Sequence, residues 1–235
     1  MDMEATQRTY ARVAGIVFLW LIINVLVGTL IFPGIPVSGS FAEIAERLRA
    51  SEHLIRLGLT SLVIEFLSGV VLAVALYLTL KPVNSLLALL AMIFYLQDTV
   101  LGNLVQMCSF VRLHLYTSSQ MVAAGTVPAQ ALLDLMRSIA GATENIGGIS
   151  FGIALLLFFY LFFKSRYIPR ILSVFGVCAS AIWITLYFAR LIFPEQRALL
   201  LSICFPLMGL ADVITGFWLM LFAVKNTKPS ESLGQ

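Results

Sequence analysis

The chain has 235 residues, 60% of them hydrophobic and 11% charged, with a mean hydropathy of +0.97 and a formal net charge of +3. A soluble domain carries roughly a quarter charged residues, so this chain cannot cover itself with polar surface and its expected solvent is the lipid bilayer. The small positive charge gives no ground for nucleic-acid binding. Cys108, Cys178 and Cys204 lie in apolar stretches and form no CxxC pair, so neither a disulfide framework nor a zinc site follows from them.

The first apolar run, Val13–Phe32, is longer than the roughly 7–15 residues of a signal-peptide core and is read as a first transmembrane helix, stopped by Pro33-Gly34. Within the long connection 33–53, Ser40-Phe41-Ala42-Glu43 is a capping box opening a short helix whose Phe41, Ile44, Ala45 and Leu48 share one face. The second span is Leu54–Leu80, ended by Lys81-Pro82, and the third is Ser85–Phe110. In the connection 111–142, Thr126-Val127-Pro128 opens a second amphipathic helix, Ala129–Ala140, with Leu132, Leu133, Met136 and Ile139 on one stripe. Helices of this kind lie on the membrane surface, cap a bundle or gate a cavity. The fourth span runs from Thr143 to Phe163, the fifth from Ile171 to Phe193 before Pro194, and the sixth from Leu199 to Val224. Each can cross a hydrocarbon core of ~30 Å at 1.5 Å per residue. The expected fold is all-α, a single six-helix transmembrane domain over 1–225 with short amphipathic helices in the outer loops and a polar tail at 226–235.

Six spans put both termini on one side. That side collects Arg8, Arg12, Lys81, Lys164, Arg166, Arg170, Lys225 and Lys228, and the other Arg47, Arg49, Arg56, Arg112, Arg137, Arg190 and Arg197. The totals nearly balance. All the lysines lie on the first side, however, in short turns and tails, which by the positive-inside rule makes it the cytoplasmic side of the plasma (bacterial inner) membrane.

Three spans repeat an acid followed four residues later by glycine: Glu65–Gly69, Glu144–Gly148 and Asp212–Gly216. An ionised carboxylate in hydrocarbon costs several kcal/mol, roughly 2.5–3.5 on insertion scales, and persists only facing a packed or watery interior. Counted from the inner turns at 1.5 Å per residue, Asp98 and Asp212 lie ~20 Å deep, Glu65 ~24 Å, and Glu144 and Arg190 ~30 Å. The acids therefore occupy the middle and outer levels, as around a cavity that opens outward. Glu65, Asp98, Asp212 and Gln106 are the candidate proton or cation site, and acids gathered at one depth suit proton coupling. Arg190 is the candidate anion contact, or the counter-ion of Asp212 or Glu144. Glu144 stacks over Gly148 and Gly152, a GxxxG stripe that lets a neighbouring backbone come close.

Enzyme signatures are largely missing: there is no GxSxG, HExxH, P-loop or GxGxxG. His53 and His114 are the only histidines and both fall near the outer surface, so no metal or cofactor is expected. Tyr77, Tyr95, Tyr160, Tyr167 and the tryptophans read as interfacial anchors or core filler.

Ala11–Gly15, Ser51–Gly58 (SEHLIRLG), Tyr77–Leu90 (YLTLKPVNSLLALL) and Ser165–Leu172 (SRYIPRIL), in this order and spacing, resemble a prokaryotic membrane family catalogued as domain of unknown function 4386. The resemblance implies a membrane protein of six to seven helices with no assigned activity. Members of that family often carry a histidine in the fourth span, whereas Phe151-Gly152-Ile153-Ala154-Leu155 has none.

The functional expectation is binding or proton/cation-coupled transport of a small or lipid-like molecule in an outward-facing acidic cavity. An intramembrane lipid-modifying enzyme and a non-catalytic assembly subunit are the alternatives. The bilayer and such a ligand are the expected partners.

Overall fold

The Asn84 side chain accepts a hydrogen bond from the Leu87 amide at 3.0 Å and so opens a long helix directly after the turn at Lys81-Pro82-Val83. At another tight turn Pro169 stands at the N-cap of the helix that begins at Arg170, without a side-chain cap. The structure, a computed structural model, describes residues 3–32, 34–35, 40–118, 126–193 and 197–223. The expected stops at Pro33 and Pro194, the basic residues Lys225 and Lys228, and the tail at 226–235 lie outside the described residues. So do the side chains of Arg197 and Cys204.

Among the described residues every regular element is helical. They are α1 (Met3–Leu26), continued by a π-helical turn at Val27–Ile31, α2 (Phe41–Ala50), α3 (Glu52–Leu80), α4 (Ser85–Thr117), α5 (Thr126–Ser165), α6 (Arg170–Ile192) and α7 (Arg197–Phe222). All but α2 contain a stretch long and apolar enough to cross a membrane. Large apolar side chains cover the outside of these helices, among them Leu30, Leu86 and Ile171, the last 85% exposed. In water that surface would be a liability; in lipid it is the solvated face.

The long helices stand in a ring in chain order: α1 packs on α3, α3 on α4, α4 on α5, α5 on α6, α6 on α7, and α7 returns to α1. Gly15 makes the closure. A Cβ there would land on the Met220 backbone nitrogen and 2.7 Å from the Gly216 carbonyl oxygen, so the backbones of α1 and α7 cross in direct contact. The end of the ring that holds the turns 81–84 and 166–169 is filled. Leu72, Leu76, Leu80, Phe158, Phe159, Phe162 and Leu219 are fully buried there. Buried hydroxyls at this end and along the spans bond to carbonyls one turn back, Thr79 to Ala75 at 2.7 Å and Ser180 to Gly176 at 2.7 Å, whereas Thr215 Oγ1 and Trp218 Nε1 find no partner among the described residues.

Gln7 ties this turn end together. Its side-chain amide donates to the Thr79 carbonyl at 2.8 Å and to the Tyr167 hydroxyl at 2.9 Å, joining α1, α3 and the turn before α6. At about 1 kcal/mol per net hydrogen bond, Gln7→Leu should cost ~1–2 kcal/mol. The check is the unfolding midpoint of purified protein in detergent, and an unshifted midpoint would dismiss the tie.

The opposite end is capped. α4 and α5, at ~50 and ~60 Å by the 1.5 Å rise, outgrow a ~30 Å hydrocarbon core, and α2 lies against their projecting parts. Phe41, Ile44 and Leu48 pack there with Tyr116, Leu113 and Leu133. The Ser40–Glu43 capping box is present in both directions, the Ser40 amide donating to Glu43 at 3.1 Å and the Glu43 amide to Ser40 Oγ at 3.4 Å. Its apolar face is buried as the sequence indicates.

The second amphipathic helix differs from expectation. Ala129–Ala140 and the fourth span are one uninterrupted helix, α5. The stretch Ala140-Gly141-Ala142-Thr143 between them has no proline, and a single glycine costs only ~1 kcal/mol in a helix, less than a break in the ladder. Of the expected stripe Leu133 is buried, but Ile139 is exposed. The third span likewise runs on past Phe110 to Thr117, and the second starts at Glu52 rather than Leu54.

Candidate functional site

The acid–glycine spacing acquires a structural reason in the ring. α3, α5 and α7 all run from the capped end to the turn end, so each glycine lies one turn below its acid. Gly69 faces the Tyr95 ring of α4, where a Cβ would stand 3.2 Å from Cε1. Gly148 lies against the Tyr187 ring of α6, whose carbon atoms occupy the place of a Cβ. Gly216 lies under Phe18 of α1, 3.0 Å from its Cβ. Three times, then, a glycine seats an aromatic side chain of the next helix in the ring, directly beneath an acid. Gly147 plays a related part, a Cβ there falling 3.1 Å from Asp98 Oδ1, so the carboxyl of α4 meets α5 at bare backbone.

These aromatics and acids surround a cavity of about 870 Å³ to which all six long helices contribute. Phe18, Tyr95 and Phe151 reach lowest, and Leu26, Gln106, Thr143 and Phe205 lie nearest the capped end. The space therefore occupies the middle and capped half of the ring, above the filled core. Its wall on α5 to α7 is aromatic. Trp183 stacks on Tyr187 with centroids 5.0 Å apart, and Phe151 and Phe205 flank Trp183 at 5.3 and 5.4 Å. The Trp183 indole donates to the Gly148 carbonyl at 2.8 Å, fixing α6 to α5.

Glu65, Asp98, Asp212, Gln106 and Glu144 all line this cavity. Tyr95, buried among them, is within electrostatic reach of Glu65, Asp98 and Asp212, and Glu65 of Asp98. None of these three carboxyls makes a hydrogen bond or ion pair with another described residue, and Asp212 Oδ1 is buried without a partner. Arg190 stands apart from them. It is 3% exposed, lies behind the cavity wall over the Tyr187 ring at 4.6 Å, and donates from Nη2 to Glu144 Oε1 at 3.1 Å. Of the two partners the sequence leaves open for Arg190, the geometry selects Glu144. Its Nε and Nη1 find no acceptor among the described residues.

The arrangement sets carboxyls without cations against an aromatic wall. Charge of one sign on Glu65, Asp98 and Asp212 has to be met by a proton or by a cationic group brought in with a ligand, since among the described residues the one cation near the cavity, Arg190, is taken by Glu144. The histidines take no part: His53 and His114 are exposed on α3 and α4, and among the described residues no cluster of three or more metal-ligating side chains forms. The tyrosines and Phe18 were not legible as cavity residues, because a glycine niche names no partner until the neighbouring helix is known.

A ring of six membrane-crossing helices around a cavity with polar groups on its wall defines an integral membrane protein. The chain belongs to the family described as a domain of unknown function (DUF4386), whose model matches residues 13–223. No curated protein and no solved structure matches the chain.

Proposed function

We propose that the protein binds a small or lipid-like molecule in the central cavity and moves it in exchange with protons or cations. The observation that carries this reading is the set of Glu65, Asp98 and Asp212, which share one cavity and have no ionic partner among the described residues. The volume of about 870 Å³ suits a drug-sized ligand, since such pockets span roughly 300–1,000 Å³. Aromatic walls beside carboxyls favour a lipophilic cation, attracted both by the acids and by the ring faces. Phe18, Tyr95 and Trp183 would supply the faces, Asp98 and Asp212 the exchangeable proton or cation contact, and Arg190 the counter-charge that holds Glu144. Lys81 and Lys164 lie at the turn end, and Lys225 and Lys228 follow the last span in sequence, so the positive-inside rule favours a cytoplasmic turn end and termini and a cavity open outward from the plasma membrane.

Tetraphenylphosphonium is a suitable probe, read by tryptophan fluorescence of the purified protein and by uptake into proteoliposomes. A cation and protons that compete for the same acids give tighter probe binding as pH rises. Asp98→Asn and Asp212→Asn should each weaken binding about ten-fold, the loss of one charge-assisted contact at ~1.4 kcal/mol or more, and flatten that pH dependence. Unchanged binding, uptake and pH response in both variants would sink the proposal.

A further inference from the structure

Two arginines that this reading does not use stand above the cavity. Arg112 of α4 and Arg137 of α5 lie ~40 and ~42 Å from the turn end, counting from Ser85 and Ser165 at 1.5 Å per residue. Both are therefore ~10 Å beyond a ~30 Å hydrocarbon core, at the outer edge of the polar headgroup region. On α4, Asp98, Gly102, Val105 and Arg112 follow the i, i+4, i+7, i+14 stripe, and on α5, Arg137 precedes Glu144 by seven residues. Each arginine thus tops the stripe that lines the cavity below it.

α4 and α5 pack along each other, and Arg112 lies within electrostatic reach of Arg137 across that contact. Their Nε atoms are both buried and neither finds a hydrogen-bond acceptor among the described residues. The described ion pair of Arg137 is with Asp134, on Nη1 at 3.1 Å; that carboxylate is 69% exposed and one turn away on the same helix, a contact of small worth. Two like charges on packed neighbouring helices, each with a buried Nε unmet while the Arg137 side chain is still 41% exposed, can be completed by an anion that arrives from the water side. A tetrahedral oxyanion suits such a pair best, since guanidinium forks match phosphate oxygens and the pair sits near headgroup depth.

We propose that Arg112 and Arg137 form a phosphate site at the rim of the cavity, filled by an anionic phospholipid headgroup or by free inorganic phosphate. The site is independent of the carboxyl cluster, and nothing in it depends on what the cavity carries.

The test uses the full-length protein in nanodiscs of phosphatidylcholine with and without one-fifth phosphatidylglycerol, and, separately, in detergent with inorganic phosphate. Lipid retention is read by native mass spectrometry and phosphate by the thermal unfolding midpoint. Wild type should retain phosphatidylglycerol over phosphatidylcholine about ten-fold, or be raised in midpoint by millimolar phosphate, and the arm that responds names the source. Arg112→Gln and Arg137→Gln should each lower that preference or shift by about ten-fold, whereas Lys81→Gln at the turn end should leave it unchanged. Arg112→Lys, which keeps the charge and loses the fork, should fall between. Wild-type protein with no preference for the anionic lipid and no response to phosphate overturns the site without any variant, and so does a response that survives both glutamine substitutions.

Discussion

Replacing Gly15 by leucine should leave almost no folded protein. Interhelical attraction in lipid does not come from the hydrophobic effect, because the lipid tails are as apolar as the side chains; close backbone approach and dense packing supply it instead. At Gly15 the atoms that a side chain would meet are the Met220 backbone nitrogen, the Gly216 carbonyl and the Leu219 carbonyl carbon. None of these can swing aside as a side-chain tip can, so α1 and α7 must separate along their crossing. This contact closes the ring, and opening it also unseats Phe18 from Gly216. Overpacking a tight core costs typically 1–3 kcal/mol and more where backbone must move, so ~3 kcal/mol or more is expected here. Gly141→Ala is the matched control. It lies inside α5 with nothing within 4 Å of its Cβ position, and there alanine should be neutral or stabilising by ~0.5–1 kcal/mol. Yield of monodisperse protein and the unfolding midpoint in detergent report both. Wild-type yield and midpoint for Gly15→Leu would mean that the ring is not closed by this crossing.

What could be read from the chain divides along a physical line. Features set by local chemistry were legible. The capping box at Ser40 and the buried face of α2 follow from side chains that reach their own backbone and from a 3.6-residue period in a polar helix. The six spans follow from length and hydropathy, and the depths of the acids from the fixed rise of a helix. Features set by one helix facing another were not. A span that is apolar all round carries no periodic signal for which face turns inward, so Tyr95 read as filler and its seat against Gly69 stayed hidden. The joining of Ala129–Ala140 to the fourth span was missed because a polar stretch at a membrane edge looks like a loop whether or not the helix breaks. Arg112 and Arg137 counted only as charges, since their nearness to each other depends on the register of α4 against α5.

The Arg190–Glu144 pair gives the second large effect, and its asymmetry is the informative part. The Arg190 side chain is 2% exposed, that of Glu144 30%. Removing the acid by Glu144→Ala leaves a guanidinium buried behind Tyr187, with the acceptor of its Nη2 gone in addition to the unmet Nε and Nη1. An uncompensated buried charge of this kind costs ~3–5 kcal/mol. Removing the base by Arg190→Met fills much the same volume with an apolar chain and leaves a carboxyl that lines the cavity, where water can reach it. That variant should lose only ~1–2 kcal/mol, part of it the stacking of the guanidinium on Tyr187. The double variant Glu144→Ala/Arg190→Met should then be more stable than Glu144→Ala alone, a coupling of the sign expected when both groups belong to one pair. Unfolding midpoints of the four proteins in the same detergent complete the cycle. If Arg190→Met proves the more damaging substitution and the double variant gains nothing, the guanidinium is held by something other than Glu144, and its two open donors become the place to look for a ligand.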